Sequence, residues 1–137
     1  MLQASAILQK ADLDIEPGFE EELDELLDLC RTHIGSVDED MLRRAFRLSY
    51  WAHRNDWRAS GERYISHPLQ VAKIVAKEIG FDDISVAAAL LHDVVEDTEL
   101  SLDFIREEFG EPMATIIDGL TKISGVFESR ELGQAEN

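Results

Sequence analysis

Along most of this chain apolar residues recur at intervals of three and four, the period of a helix that buries one face. Leu23, Leu26, Leu27 and Leu29, set among acids, predict a helix from Phe19 to about His33, with Gly35 as its C-cap. Ser36 or Asp38 can start the next helix, whose inner stripe is Met41, Leu42, Ala45, Phe46, Leu48 and Ala52. Residues 1–16 have mixed polarity and end at the turn signal Pro17-Gly18, so a short or frayed helix is expected there. Asn55–Glu62 contains Ser60-Gly61 and has no periodicity, which reads as a loop. Proline biases its predecessor towards extended backbone and is tolerated in the first helical turn. His67 is therefore expected at the mouth of a helix from Pro68 to about Ile79, packed through Leu69, Val71, Ala72, Val75, Ala76 and Ile79, with Gly80 behind it. Ser101 caps a further helix carrying Leu102, Ile105 and Phe109 inward and ending at Gly110. Pro112 opens the last, through Met113, Ile116, Ile117 and Leu120. No segment alternates with period two and no internal repeat is present, so the expected fold is all-α.

One stretch departs from this amphipathic pattern. In Ile84–Thr98, capped by Asp82 or Asp83, the run Val86–Leu91 is apolar on every face, as in a helix buried on all sides. Four ionisable residues then fall within six positions: His92, Asp93, Glu96 and Asp97. On a continuous helix they would lie at about 0°, 100°, 40° and 140°, sharing less than half the circumference. Burying carboxylates with an imidazole is costly unless the charge is compensated, and a metal cation is the usual compensator.

Composition adds limits. A chain of 137 residues with 45% hydrophobic content suits a single globular domain. No apolar run reaches membrane-spanning length and the N-terminus lacks a signal-peptide pattern, so a soluble cytoplasmic protein is expected. Cys30 continues the Leu23-Leu26-Leu27 stripe, which reads as a buried thiol. The net charge of −16 argues against a nucleic-acid surface. Within it, residues 41–63 hold six arginines against two acids, while the flanking segments each carry a net of −10. A local basic segment suits an anionic small molecule such as a phosphate ester; pairing of these arginines with the chain's own acids is the competing reading.

His67, at a helix start, can reach a neighbouring helix, and with His92 and Asp93 it makes a donor set suited to Mn²⁺, Fe²⁺ or Zn²⁺ rather than Ca²⁺. Glu96 and Asp97 follow one turn later. Together with Glu99 they could be only the solvated end of a helix, although acids there oppose its dipole. His33 and His53 have no adjacent carboxylate and are expected as satisfied or exposed histidines, not ligands. Tyr50, Trp51 and Trp57 are expected to pack, with one of them able to border a nucleobase.

Taken together, Arg58-Ala-Ser-Gly-Glu-Arg-Tyr-Ile-Ser-His-Pro68, Ala88-Ala-Leu-Leu-His-Asp-Val-Val-Glu-Asp-Thr98, Phe109-Gly110 and Asp118-Gly-Leu-Thr-Lys122 resemble the N-terminal hydrolase domain of the RelA/SpoT homologue family. The order and spacing match from about residue 40 to 122. The resemblance implies a helical, metal-dependent HD-domain phosphohydrolase that removes the 3′-pyrophosphate of the alarmone (p)ppGpp, giving GDP or GTP and pyrophosphate, typically with Mn²⁺. By motif it implies His67, His92 and Asp93 as metal ligands, Glu96 and Asp97 as catalytic acids, and Arg58 with Ser60 as substrate contacts, Arg58 at the guanine. A synthetase domain downstream in a parent protein is a further implied partner.

Two departures stand out. Position 59 is alanine where many relatives carry lysine. The family's fourth metal ligand lies in a later Asp-Arg-x-His-Asn string that does not occur in these 137 residues, so residues 1–137 are expected to be the N-terminal part of such a domain, binding metal weakly with impaired turnover. The alternatives are an HD phosphohydrolase of another nucleotide and a non-catalytic nucleotide-binding or regulatory domain.

Overall fold

The computed structural model describes residues 3–79 and 82–122, and it is helical as the periodicity predicts. The helices are α1 (Ala4–Asp14), α2 (Pro17–His33), α3 (Glu39–Ala52), α4 (Ser66–Ile74), α5 (Asp83–Leu91), α6 (Val94–Asp97), α7 (Leu102–Phe109) and α8 (residues 111–122). Among the described residues the one extended pairing is an isolated bridge between Trp57 and Arg63. None of the described helices is long and apolar enough to cross a membrane.

Three helix starts use the expected caps. The side chains of Asp38, Asp82 and Ser101 accept from the backbone N–H of Met41, Ser85 and Phe104 at 3.0, 2.9 and 3.1 Å, each satisfying a donor that the first turn leaves unpaired. At the other end of α2, Gly35 takes φ +99° and donates to the Cys30 carbonyl at 3.1 Å. A side chain would strain that backbone.

The core forms round α5, which packs on α3 and α4. Val86 to Leu91 are six consecutive buried residues, as their lack of a polar face demands. Leu23, Leu26, Leu27 and Cys30 of α2 and Leu42, Ala45, Phe46 and Leu48 of α3 enter the same cluster. Each fully buried leucine contributes about 2 kcal/mol of apolar transfer.

Four local expectations change. Residues 4–14 form a full helix, anchored through buried Ile7. The helix carrying His67 starts two residues before Pro68, so His67 lies inside its first turn. Its last stretch, Val75–Ile79, winds as a π-helix. The wider turn carries the end of this helix off the buried face set by Leu69, Ala72 and Ala76, and Ile79 is exposed instead of packed. Gly80, the expected C-cap, lies outside the described residues. Finally, Tyr50 and Trp51 pack in the core but Trp57 is 58% exposed, capped by the Arg63 guanidinium 4.7 Å from its ring.

Burial raises the Cys30 thiol to about 11, with Asp83 adding to the effect. Iodoacetamide at pH 8 is therefore expected to leave the folded chain unmodified and to alkylate Cys30 only in denaturant; rapid native-state labelling, read by mass spectrometry, would contradict this packing.

Candidate metal centre

The stretch His92–Asp97 is not one continuous helix. The His92 ring, through Nδ1, lies 2.7 Å from the Ala89 carbonyl, the acceptor that an unbroken α5 would offer to the Asp93 N–H. α5 ends at Leu91, Asp93 adopts φ −109° and ψ 4°, and α6 restarts at Val94. The α6 turn closes when Thr98 donates its hydroxyl to the Val94 carbonyl at 2.6 Å. The expected angular fan of four ionisable groups is thus replaced by a kink. It turns Asp93 inward, to 6% exposure, and leaves Glu96 and Asp97 exposed beyond it.

Asp93 meets partners from two other segments. Tyr64 donates its hydroxyl to Oδ2, and Nε2 of His53, the residue that ends α3, lies 3.4 Å from Oδ1. Burial raises the Asp93 pKa, but the contacts with His53 and Tyr64 prevail and hold its carboxyl down at about 2. The converse holds for His53: burial lowers its pKa, and Asp93 and Asp56 together outweigh that and raise it. Burial first, then the bond to Asp93, pushes the Tyr64 phenol upward.

His67 and His92 meet edge to face beside Asp93, ring centroids 5.9 Å apart, and the Tyr64 ring lies 5.8 Å from that of His67. Burial and the neighbouring His92 lower the His67 pKa, against the opposing Asp93, so the neutral imidazole is favoured. With its Nδ1–H donated to Ala89, His92 turns the lone pair of Nε2 outward, 3.8 Å from Oδ2 of Asp93. A backbone carbonyl behind one ring nitrogen is the usual support for a metal on the other. The donor types and tautomer therefore fit a borderline divalent cation, although among the described residues no three His, Cys, Asp or Glu side chains stand close enough to hold one as they are.

The loop before α4 supplies the other side. Arg58 N–H donates to Glu62 at 2.7 Å, Gly61 N–H returns to Arg58 at 2.9 Å, and Gly61 takes φ +91° to close the turn. Arg58 is near enough to His67 to disfavour its protonation, while its guanidinium reaches Glu62 only at 3.9 Å. Ser60 is exposed at the tip. The neighbouring arginines are committed within the protein: Arg44 to Glu108 at 2.7 Å, Arg54 to Glu99 at 2.9 Å and Arg63 to Glu16 at 2.5 Å. For these three, internal pairing is what the basic segment does.

His67, His92 and Asp93 are thus brought close together, with Arg58 near His67. The sequence pattern did not single out two members of the cluster. His53 is buried with Nδ1 paired to Asp56, only three residues away, while Nε2 makes no hydrogen bond and lies beside Asp93. Tyr64 was legible in the same sense, three positions before His67 and so one turn ahead of it.

Comparison with known proteins gives the family of the chain. Residues 45–137 match the HD-domain family. The chain is similar to a guanosine-3′,5′-bis(diphosphate) 3′-pyrophosphohydrolase of Haemophilus influenzae, 46% identical over 87 residues, covering 63% of this chain and 13% of that protein. It is 39% identical over 122 residues to the protein of that name from Aquifex aeolicus, covering 89% of the chain and 16% of the relative. A GTP pyrophosphokinase of Streptomyces coelicolor is 40% identical over 117 residues, covering 83% and 14%. The chain thus spans a small fraction, 13–16%, of the length of these relatives.

Because Asp93 satisfies His53 and Tyr64 in the interior, Asp93→Ala is expected to cost the metal-free chain about 3 kcal/mol in urea unfolding. His92→Ala, whose side chain is 29% exposed, should cost less than about 1 kcal/mol. Equal losses would contradict the structural role given to Asp93.

Proposed function

The chain belongs to the HD-domain family, and from that premise we propose that it carries the hydrolase centre for the 3′-pyrophosphate of (p)ppGpp, working with a divalent cation, Mn²⁺ by preference. The observation that carries this reading is the approach of His67 and His92, ring centroids 5.9 Å apart, with Nε2 of His92 3.8 Å from Oδ2 of Asp93. In this reading these three residues hold the cation. When bound, it supplies an acidified water and neutralises phosphoryl charge.

The remaining roles belong to groups of the chain. Glu96 and Asp97 follow Asp93 by one turn and are exposed, and in this reading a carboxylate there orients the attacking water and takes its proton. Water adds at the phosphorus bonded to the ribose 3′-oxygen, that P–O bond breaks, the 3′-oxygen takes up a proton to become a hydroxyl, and the products are GDP or GTP and pyrophosphate. Arg58, held loosely by Glu62, is available to the guanine base, and Ser60 at the loop tip to the rest of the nucleotide. Burial first, then the neighbouring His92, with Arg58 adding to them, favours the neutral form of His67. Relatives named both pyrophosphohydrolase and GTP pyrophosphokinase support a guanine-nucleotide substrate, and with it a synthetase partner domain in a parent protein.

The test uses a chimera in which the aligned 87 residues of the Haemophilus influenzae relative are replaced by those of this chain. Mn²⁺-dependent release of pyrophosphate from ppGpp is expected, and Glu96→Gln or Asp97→Asn should lower kcat at least about 10²-fold while Mn²⁺ remains bound. A folded, Mn²⁺-loaded chimera that releases no pyrophosphate would contradict the substrate; near-normal turnover in both variants would contradict the acid roles.

A further inference from the structure

The roles assigned to the pocket leave His53 without a task, although its position is the most constrained there. Its side chain is fully buried, at the point where α3 ends. The ring packs on Tyr64 with centroids 4.6 Å apart. Nδ1 lies 3.1 Å from Oδ2 of Asp56, whose side chain is 44% exposed, and Nε2 faces Oδ1 of Asp93 at 3.4 Å. Both atoms are buried and neither makes a hydrogen bond, so their 3.4 Å approach is a polar contact short of one. A buried carboxylate oxygen and a buried ring nitrogen each lose about 1–3 kcal/mol when unpaired, so the two are each other's only economical partner.

We propose that His53 is a positioning residue for the Asp93 carboxylate: pinned from outside by Asp56, it fixes Oδ1 so that Oδ2 is presented to the cation. This rests on the proposed role of Asp93 as a metal ligand. Asp93 is otherwise restrained by the Tyr64 hydroxyl alone, which bonds the same Oδ2 that faces His92. One tether on the ligating oxygen leaves the carboxylate free to rotate about it. A second tether on the opposite oxygen removes that freedom, and it comes from a different helix, so the kink after α5 is locked to the end of α3. Partners of this kind behind a ligand are worth 10–100-fold in metal affinity.

The two nitrogens of His53 can be tested separately. His53→Gln carries an amide out to the place of Nε2 and can still donate to Asp93; His53→Asn reaches only the place of Nδ1, towards Asp56. Mn²⁺ titrated into the 137-residue chain by calorimetry is expected to show a 10–100-fold higher Kd for the Asn variant, and a Kd within about threefold of the original for the Gln variant. Co²⁺-saturated forms should keep their absorption bands in both, because His53 is not itself a ligand. Asp56→Asn, at a half-exposed position that leaves the ring in place, should raise Kd several-fold even if a His53 variant fails to fold. Unchanged affinity in folded Asn and Asp56→Asn variants would overturn the inference alone, as would Co²⁺ bands that move on substitution of His53. An unsubstituted chain that takes up no divalent cation would remove the metal reading, and this inference with it.

Discussion

The structure turns on one buried carboxylate. Asp93 sits at a break in the most apolar helix of the chain, and an ionised acid there is tolerable only because each oxygen meets a partner, Tyr64 on one and His53 on the other. Those partners come from the loop before α4 and from the end of α3. The contacts of Asp93 therefore tie the end of α3 and the start of α4 to the junction of α5 and α6. The same contacts decide which atoms remain for chemistry. With Oδ1 turned to His53, Oδ2 faces outward beside His92 and His67.

Much of the fold was legible because helices leave local signatures. The stripes of α2 and α3, the caps at Asp38, Asp82 and Ser101 and the reversed backbone at Gly35 and Gly110 all depend on residues within a turn of one another. The π-helical turn at Val75–Ile79 was not legible, since a continuing apolar period looks the same whether or not one extra residue is accommodated. Nor was the break after Leu91. A helical wheel assumes that the backbone keeps its carbonyls, and here a histidine side chain claims one of them.

The candidate site divides in the same way. His92 and Asp93 could be singled out because ionisable residues interrupt an apolar run, His67 because Pro68 sets it at a helix start, and Arg58 and Ser60 because they accompany a recognisable string. Charge pattern alone would have misled: Arg44, Arg54 and Arg63 contribute to the basic segment yet hold the protein's own carboxylates, while Arg58 beside them engages Glu62 only at long range. His53 escaped notice because its significance lies in a contact forty residues away. No local rule separates a core histidine that is merely satisfied from one that braces a ligand.

The central claim is that His67, His92 and Asp93 converge on a single divalent cation. An anomalous-difference map at the manganese edge, from crystals of the chain grown with Mn²⁺, tests it most directly. The account predicts one dominant peak within about 2.0–2.3 Å of a nitrogen from each histidine and an oxygen of Asp93. A peak held by other side chains, or none at saturating Mn²⁺, would contradict it.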